Sequence, residues 1–336
     1  MKLLVIGAGS IGQRHLRNAL QLGGVECSVV EPDPQRREAV AAACSIPVFG
    51  DLEEGIAWRP QAAMVCTPSH AHLELSLRCA TEGIHLFIEK PISHSMDGLD
   101  ELKRLVEKND LICLVGYNLR FHPGLQAVKQ VLDEGRLGSL WFAEIEYGHY
   151  LPFWRPDQDY RKTYSAHRDM GGGAILDLIH EFDYAQWFFG KGTPITAVGG
   201  KRSGLELDCE DLCVAMVEYE RPSGMPVRFH LDYLQRRYVR YCQVIGEHGV
   251  ALWDMPAGFT RLYLPTAKNT PEAHDGTVLC DFTDFDFNIC YIHELESYLQ
   301  AVENGERLPL SLDEAIETLS VALAVREKMH PLQSSV

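Results

Sequence analysis

Lys90 closes the run Leu86-Phe87-Ile88-Glu89-Lys90-Pro91, an apolar stretch of strand character that ends in an acid, a base and a proline. Open α/β sheets place their ligands beyond the carboxyl ends of buried strands, so a lysine there can hydrogen-bond a reacting oxygen. Proline fixes its own φ and turns the residue before it away from helix, which lets the backbone aim Lys90. A second set lies far along the chain: Asp177, His180 and Asp183, in a helix-like run from Ala174 to Phe189 behind Gly171-Gly172-Gly173. Steps of three predict one shared helical face. Histidine titrates near neutrality, which suits a group that takes or returns a proton. The chemistry these residues support is proton transfer at a hydroxyl or a carbonyl.

The elements that must position Lys90 begin at residue 2. Lys2 to Ile6 is apolar, Gly7-Ala8-Gly9-Ser10-Ile11-Gly12 follows at once, and a helical stretch runs on to Gly23-Gly24. This is G-x-G-x-x-G between strand and helix, the context in which it marks a dinucleotide site. Gly7 makes the turn, Gly9 lets a pyrophosphate approach the backbone, and Gly12 allows close helix–strand packing. Ser10 and Ile11 start the helix whose free N–H groups face the phosphates. A strand from Cys27 to Val30 ends at Glu31, about twenty residues beyond Gly12, where an acid accepts ribose hydroxyls. Glu31 repels a 2′-phosphate, so NAD is expected rather than NADP, although Arg36 and Arg37 follow closely. After the strand Ala62 to Cys66, Thr67-Pro68 shapes a cofactor-side loop, and His72 serves packing or capping there. Two histidines, His70 and His72, without a nearby acid or thiol cluster make a poor metal site, so no metal is expected. His72, Glu89 and Lys90 complete the cofactor-binding residues expected at this end of the sheet.

Alternating strands and helices to residue 120 predict a parallel, doubly wound Rossmann sheet with right-handed crossovers, an NAD-binding domain of residues 1–120. Residues 121–336 read as an α+β domain. Strands are expected at Trp141 to Tyr147, Thr196 to Gly199, Leu212 to Tyr219, Val227 to Tyr233, Tyr241 to Gly246 and Val250 to Trp253, forming a large, open, mostly antiparallel sheet. Helices at Tyr291 to Asn304 and Leu312 to Met329 pack back on the domains, and Thr266 to Phe287 reads as a variable loop. The fold class is α/β followed by α+β.

Composition excludes several functions. The 336 residues are 46% hydrophobic, enough for two cores, and 31 basic against 47 acidic residues give a net charge of −16. No nucleic-acid partner fits a chain without a basic stripe. No apolar stretch reaches the roughly 18 to 20 residues that span a bilayer, and the glycines at 7, 9 and 12 interrupt any leader-like start. Ten scattered cysteines without metal spacing read as reduced thiols. A soluble, cytoplasmic protein is expected.

Gly7 to Gly12, Thr67-Pro68, Glu89-Lys90-Pro91, Asn118 to Pro123 and Gly171-Gly172-Gly173 occur in the order and spacing of the Gfo/Idh/MocA oxidoreductases, and the chain resembles that family over almost its whole length. The resemblance implies an NAD(H)-dependent dehydrogenase or reductase acting on a secondary alcohol or ketone of a sugar, sugar derivative, nucleotide-linked sugar or cyclitol. It implies that Lys90 hydrogen-bonds the reacting oxygen, that His180 is the general acid/base and that Asp177 orients it. The three-residue interval between Asp177 and His180 departs from the four found in many members. Substrate contacts are expected from Arg120, Tyr150, Trp154, Tyr164 and Arg168 with Lys90, Asp177 and His180. Aromatic faces stack on sugar CH surfaces and guanidinium groups clamp anions, which favours an anionic carbohydrate. The resemblance further implies a homodimer or homotetramer through the C-terminal sheet. The rival reading is a sugar-sensing regulator of the same fold in which catalysis has lapsed.

Overall fold

The structure is a computed structural model that describes residues 1–265, 276–306 and 308–331. The chain divides into two compact units, one of Met1–Asn118 with Asn288–Leu319, the other of Leu119–Phe287 with the chain from Ser320 onward.

The first unit opens with β1 (Lys2–Ile6), α1 (Ser10–Leu22), β2 (Glu26–Val30), α2 (Pro34–Ala43), β3 (Val48–Phe49), α3 (Leu52–Ala57) and β4 (Ala62–Val65). It continues through α4 (His72–Thr81), β5 (His85–Glu89), α5 (Leu99–Lys108) and β6 (Cys113–Gly116). The six strands are parallel in the order β3-β2-β1-β4-β5-β6, so the chain reverses direction across the sheet between β1 and β4. Ligands bind at that switch point in doubly wound sheets. β1, β4 and β5 are almost wholly buried, as strands covered by helices on both faces must be. The short helix α3 has no counterpart in the sequence reading, yet a signal was there. Asp51 accepts from the Glu54 N–H at 2.9 Å while Glu54 accepts from the Gly50 N–H at 2.9 Å, a reciprocal cap at its start.

The second unit carries α6 (Pro123–Asp133), β7 (Leu140–Gly148), α7 (Ala174–Asp177), α8 (His180–Phe189) and the strands β8 (Gly192–Gly200), β9 (Leu212–Tyr219), β10 (Met225–Asp232) and β11 (Val239–Gly246). Then come β12 (Gly249–Asp254), β13 (Phe259–Tyr263) and β14 (Thr277–Asp281). Helix α9 (Asn288–Asn304) belongs to the first unit and packs on α1. α10 (Leu312–Glu327) and β15 (Met329–Pro331) end the described chain. Nine strands form one mixed sheet, β14-β13-β12-β11-β7-β10-β9-β8-β15, antiparallel except where β7 meets β10 and β8 meets β15. Alternation of buried and half-buried residues along β11, and along β10 as far as Leu231, gives it one packed face and one open face.

Two expectations are corrected. The variable loop expected over Thr266 to Phe287 contains β14, paired antiparallel with β13; residues 266–275 of it lie outside the described residues. The single helix expected from Ala174 to Phe189 is two. Leu178 leaves helical geometry at φ −98° and ψ 27°, and the chain resumes through tighter bonds from Glu181 N–H to Leu178 and from Phe182 N–H to Ile179. No glycine or proline marks the break. The break falls just after Asp177, whose carboxylate is tied to groups distant in the sequence.

Candidate active site

The first cluster lies at the carboxyl ends of β1, β2, β4 and β5. Gly12 is required because a Cβ there would stand 1.9 Å from the Gly7 carbonyl oxygen, so only glycine lets α1 close on the turn. Gly9 caps α1 without a side-chain bond, and the space where its Cβ would project is open. The helix N-terminus therefore presents a cradle of backbone N–H groups that a pyrophosphate would fill. Glu31 is buried at the end of β2 and accepts from the Ala8 N–H at 2.9 Å and the Asp33 N–H at 2.9 Å, which fixes it beside the glycine turn. Arg36 reaches its Oε1 at 3.2 Å, and Arg37 donates to the Glu31 carbonyl at 2.9 Å. Thr67, following β4, has a buried hydroxyl without a hydrogen-bond partner among the described residues. These groups fit a bound dinucleotide in shape and polarity.

Glu89 ends β5 with its carboxylate spoken for. His15 of α1 donates to Oε1 at 2.7 Å and the Lys90 N–H to Oε2 at 3.1 Å. Burial raises the Glu89 pKa, but the His15 bond and charge, with Lys90, outweigh it and hold the carboxyl below its ordinary value. Glu89 thus works as a buried anchor for the turn. The Lys90–Pro91 peptide is cis, and Lys90 is half-buried while Pro91 and Ile92 are buried. His72 joins this turn to the Thr67 loop: Nδ1 lies 2.7 Å from the Pro91 carbonyl oxygen and Nε2 2.8 Å from that of Thr67. His15 escaped the sequence reading, although its place three residues after Gly12 puts it on the sheet-facing side of α1. A groove of about 500 Å³ lined by Met1, Lys2, Glu26 and Arg59 opens at the opposite, amino-terminal strand ends and takes no part.

The second cluster lies within the other unit and centres on Asp177. Its buried carboxylate accepts from Tyr164 Oη at 2.8 Å, Ser165 Oγ at 2.6 Å and Tyr233 Oη at 3.0 Å. Burial, reinforced by the Asp177 charge, pushes both phenols far above their ordinary pKa, so they stay protonated and donate. Tyr164 was expected from sequence; Ser165 and Tyr233 were not. Tyr233 follows β10, and nothing in the sequence between it and Asp177 signals that they meet. His180 is the first residue of α8 and half-buried. Ahead of α7, Gly173 adopts φ +108°, and a Cβ there would meet Glu210 Oε1 at 2.4 Å. The Glu210 carboxylate fills that corner, with its pKa raised by burial.

The other expected substrate contacts divide. Trp154 packs edge-on against Tyr233 at 5.3 Å between ring centres and donates to the His149 carbonyl, which ties it to the Asp177 cluster. Tyr150 lies under the Arg236 guanidinium at 4.2 Å and against Phe153. Arg168 is turned to acids: its N–H donates to Asp208 at 2.6 Å and its guanidinium approaches Glu210 at 3.5 Å. Arg161 is held by Asp159 and Glu206. Arg120 is buried on Asp183 with three contacts of 2.9 to 3.1 Å, an ion pair that ties the turn Asn118–Phe121 to α8. Among the described residues, His167, Asp169 and Asp208 bring three potential metal-binding atoms within 4.8 Å of one another, but both acids are exposed, and His167 and Asp208 are already bonded to backbone.

A glycine-rich turn at the switch point of a 3-2-1-4-5-6 parallel sheet, an acid closing the second strand and a buried Glu-Lys-Pro turn define a dinucleotide-binding protein of the oxidoreductase class. The chain belongs to the Gfo/Idh/MocA family: its residues 1–117 match the family's NAD-binding Rossmann fold and residues 125–252 its C-terminal domain. It is 26% identical to inositol 2-dehydrogenase of Rhizobium meliloti (strain 1021) over 339 residues, covering 99% of this chain and 98% of that one. Among solved structures, levoglucosan dehydrogenase in complex with NADH superposes with a TM-score of 0.85 at 17% identity, covering 98% of this chain and 96% of the other. The WlbA dehydrogenase of Bordetella pertussis, in complex with NADH and UDP-GlcNAcA, does so with a TM-score of 0.80 at 17% identity, covering 98% and 95%. At those identities the structural likeness is one of fold. No helix among the described residues is long and apolar enough to cross a membrane.

Proposed function

We propose that this protein interconverts a secondary alcohol and its ketone on a polyhydroxylated ring, a cyclitol or sugar, with NAD(H) as the redox partner. The observation that carries the reading is the turn at the end of β5, where a buried, doubly bonded Glu89 fixes the backbone and presents Lys90 at the cofactor end of the sheet. NAD, held by the Gly7–Gly12 turn, Glu31 and the Thr67-Pro68 loop, supplies the hydride acceptor when bound. Glu31 selects against a 2′-phosphate. Lys90 hydrogen-bonds the reacting oxygen and His180 takes the hydroxyl proton during oxidation, returning it in reduction. Asp177, held by its three hydroxyl donors, is the residue that orients His180 for that step.

The relatives named above act on inositol, levoglucosan and a nucleotide-linked sugar, by their names and bound ligands, which supports a ring alcohol here. A neutral polyol is favoured over the anionic carbohydrate expected from sequence, because Arg161 and Arg168 are already matched by acids. Assembly as a homodimer or homotetramer through the open face of the nine-stranded sheet accompanies this reading. Phe142, Ile245, Val250, Leu252, Met216 and Val214 share that face by register, around a centre of Glu144, Glu146, Arg228 and His230. The ten cysteines are not joined in disulfides, as suits a cytoplasmic enzyme.

The test is to incubate the purified protein with NAD and a panel of myo-inositol, levoglucosan, UDP-N-acetylglucosamine and simple hexoses, following the appearance of NADH. Turnover of a neutral ring alcohol is expected. Thermal stabilisation by several of these compounds with turnover of none would replace the enzyme reading by that of a sensor.

A further inference from the structure

His72 opens α4 in the core of the first unit and is 1% exposed. Its two ring nitrogens face two carbonyl oxygens, Pro91 at 2.7 Å and Thr67 at 2.8 Å. A carbonyl oxygen only accepts, so each of these separations asks for an N–H on the ring. Burial holds the His72 pKa below the ordinary histidine value, against the opposing pull of the two carbonyls and Glu89 and with Lys90 adding to the effect of burial. Above pH 7 the ring is therefore neutral and owns one N–H. One proton is shared between two acceptors that lie on different strand tips.

We propose that His72 is a positioning residue that couples the Thr67 loop to the Lys90–Pro91 turn, its single N–H bonding one carbonyl at a time and its tautomer setting which of the two is held. With the proton on Nδ1 the ring fixes Pro91 and through it the backbone that aims Lys90. With the proton on Nε2 it fixes the loop that follows β4, on the cofactor side of the switch point. A shift of either loop changes the bond available to the other, so occupancy of the cofactor loop is felt at the lysine through the ring. Glu89 and Lys90 are the charged groups whose fields reach the ring. The inference rests on the functional reading of Lys90 given above.

His72→Asn and His72→Gln separate the two bonds, because an Asn amide nitrogen stands near the Nδ1 position and a Gln amide nitrogen near Nε2. His72→Asn is expected to raise the Kd for NADH, read by fluorescence titration, about tenfold, the worth of one buried hydrogen bond, and to lower kcat less than His72→Gln does. His72→Gln is expected to lower kcat about tenfold and to disturb NADH binding less. Equal effects of the two substitutions on both quantities would overturn the coupling. Should the variants not fold, 15N NMR of the histidine-labelled wild-type protein at pH 8 decides. The His72 ring nitrogens should report both tautomers and shift between them on addition of NADH, whereas a ring locked in one tautomer with and without NADH overturns the proposal. The NADH and NMR measurements need no turnover, so their failure is distinguishable from failure of the enzyme reading.

Discussion

The acid at the tip of β5 and the acid at the end of α7 are both buried, yet they are held in opposite ways. Glu89 is bonded by the amide of the very next residue and by a histidine on the helix that the glycine turn starts. Asp177 is bonded by three hydroxyls that are 12, 13 and 56 residues away in the chain. The first arrangement joins one backbone amide next door to one side chain 74 residues away, on an acid that directly precedes Lys90. The second is a convergence of side chains at the point where one helix ends and the next begins. A lysine at a strand tip can thus be placed by a strand, a proline and one buried acid, whereas holding Asp177 takes a network.

The largest effect expected from breaking the first arrangement is chemical. Lys90→Met should lower kcat by about 10²- to 10⁴-fold while leaving the Kd for NADH within about twofold, checked by steady-state rates and fluorescence titration on the same preparation. An equal loss of NADH affinity would make Lys90 a cofactor residue instead.

Breaking the second should cost the fold as well. Asp177→Ala strands three buried hydroxyls without their acceptor and is expected to lower unfolding stability by about 2 to 4 kcal/mol in urea. Asp177→Asn keeps an acceptor and should cost less, so similar losses in the two variants would show that charge and not bonding holds the cluster.

The scaffold behind the second arrangement titrates. His122 caps α6, accepting from the Gly124 N–H at 3.1 Å, and is enclosed by Trp253, Phe282, Phe285 and Phe287. Burial, with Arg240 adding to it, depresses its pKa to about 3. The folded chain therefore prefers the neutral ring. Its contribution is complete above the unfolded value of about 6.5 and is lost as pH falls from there toward about 3. At pH 5 the loss should be on the order of 2 kcal/mol, and His122→Asn, which retains an acceptor for the cap, should flatten the stability profile between pH 7 and 5.

The smallest effect returns to the first arrangement. Glu31→Ser removes the carboxylate that Arg36 now pairs with, and should shift the NADP-to-NAD ratio of kcat/KM upward by about tenfold. No shift would mean that the ribose end is read elsewhere.

The contrast also explains what could be read in advance. Lys90, the glycine turn, Glu31 and the Thr67-Pro68 loop were legible because each depends on its neighbours in sequence and on strand periodicity. β9 matched residue for residue for the same reason. Tyr233, Ser165 and Glu210 were not legible, because their meeting with α7 depends on how β9, β10 and the loop before α7 come together. Arg120 and Arg168 were expected at the substrate, since nothing in their local sequence announces Asp183 or Glu210 as partners.

By itself the sequence determined the family, the parallel sheet with its dinucleotide turn, and the lysine at the strand tip, since all of these follow from backbone preferences and from patterns of two or a few residues. Only the tertiary structure decided that the run from Ala174 to Phe189 is two helices, that Asp177 is an acceptor hub and that His72 stands between two carbonyls. Buried polar groups must find partners, and which partner is within reach is fixed by packing across the fold and not by position along the chain.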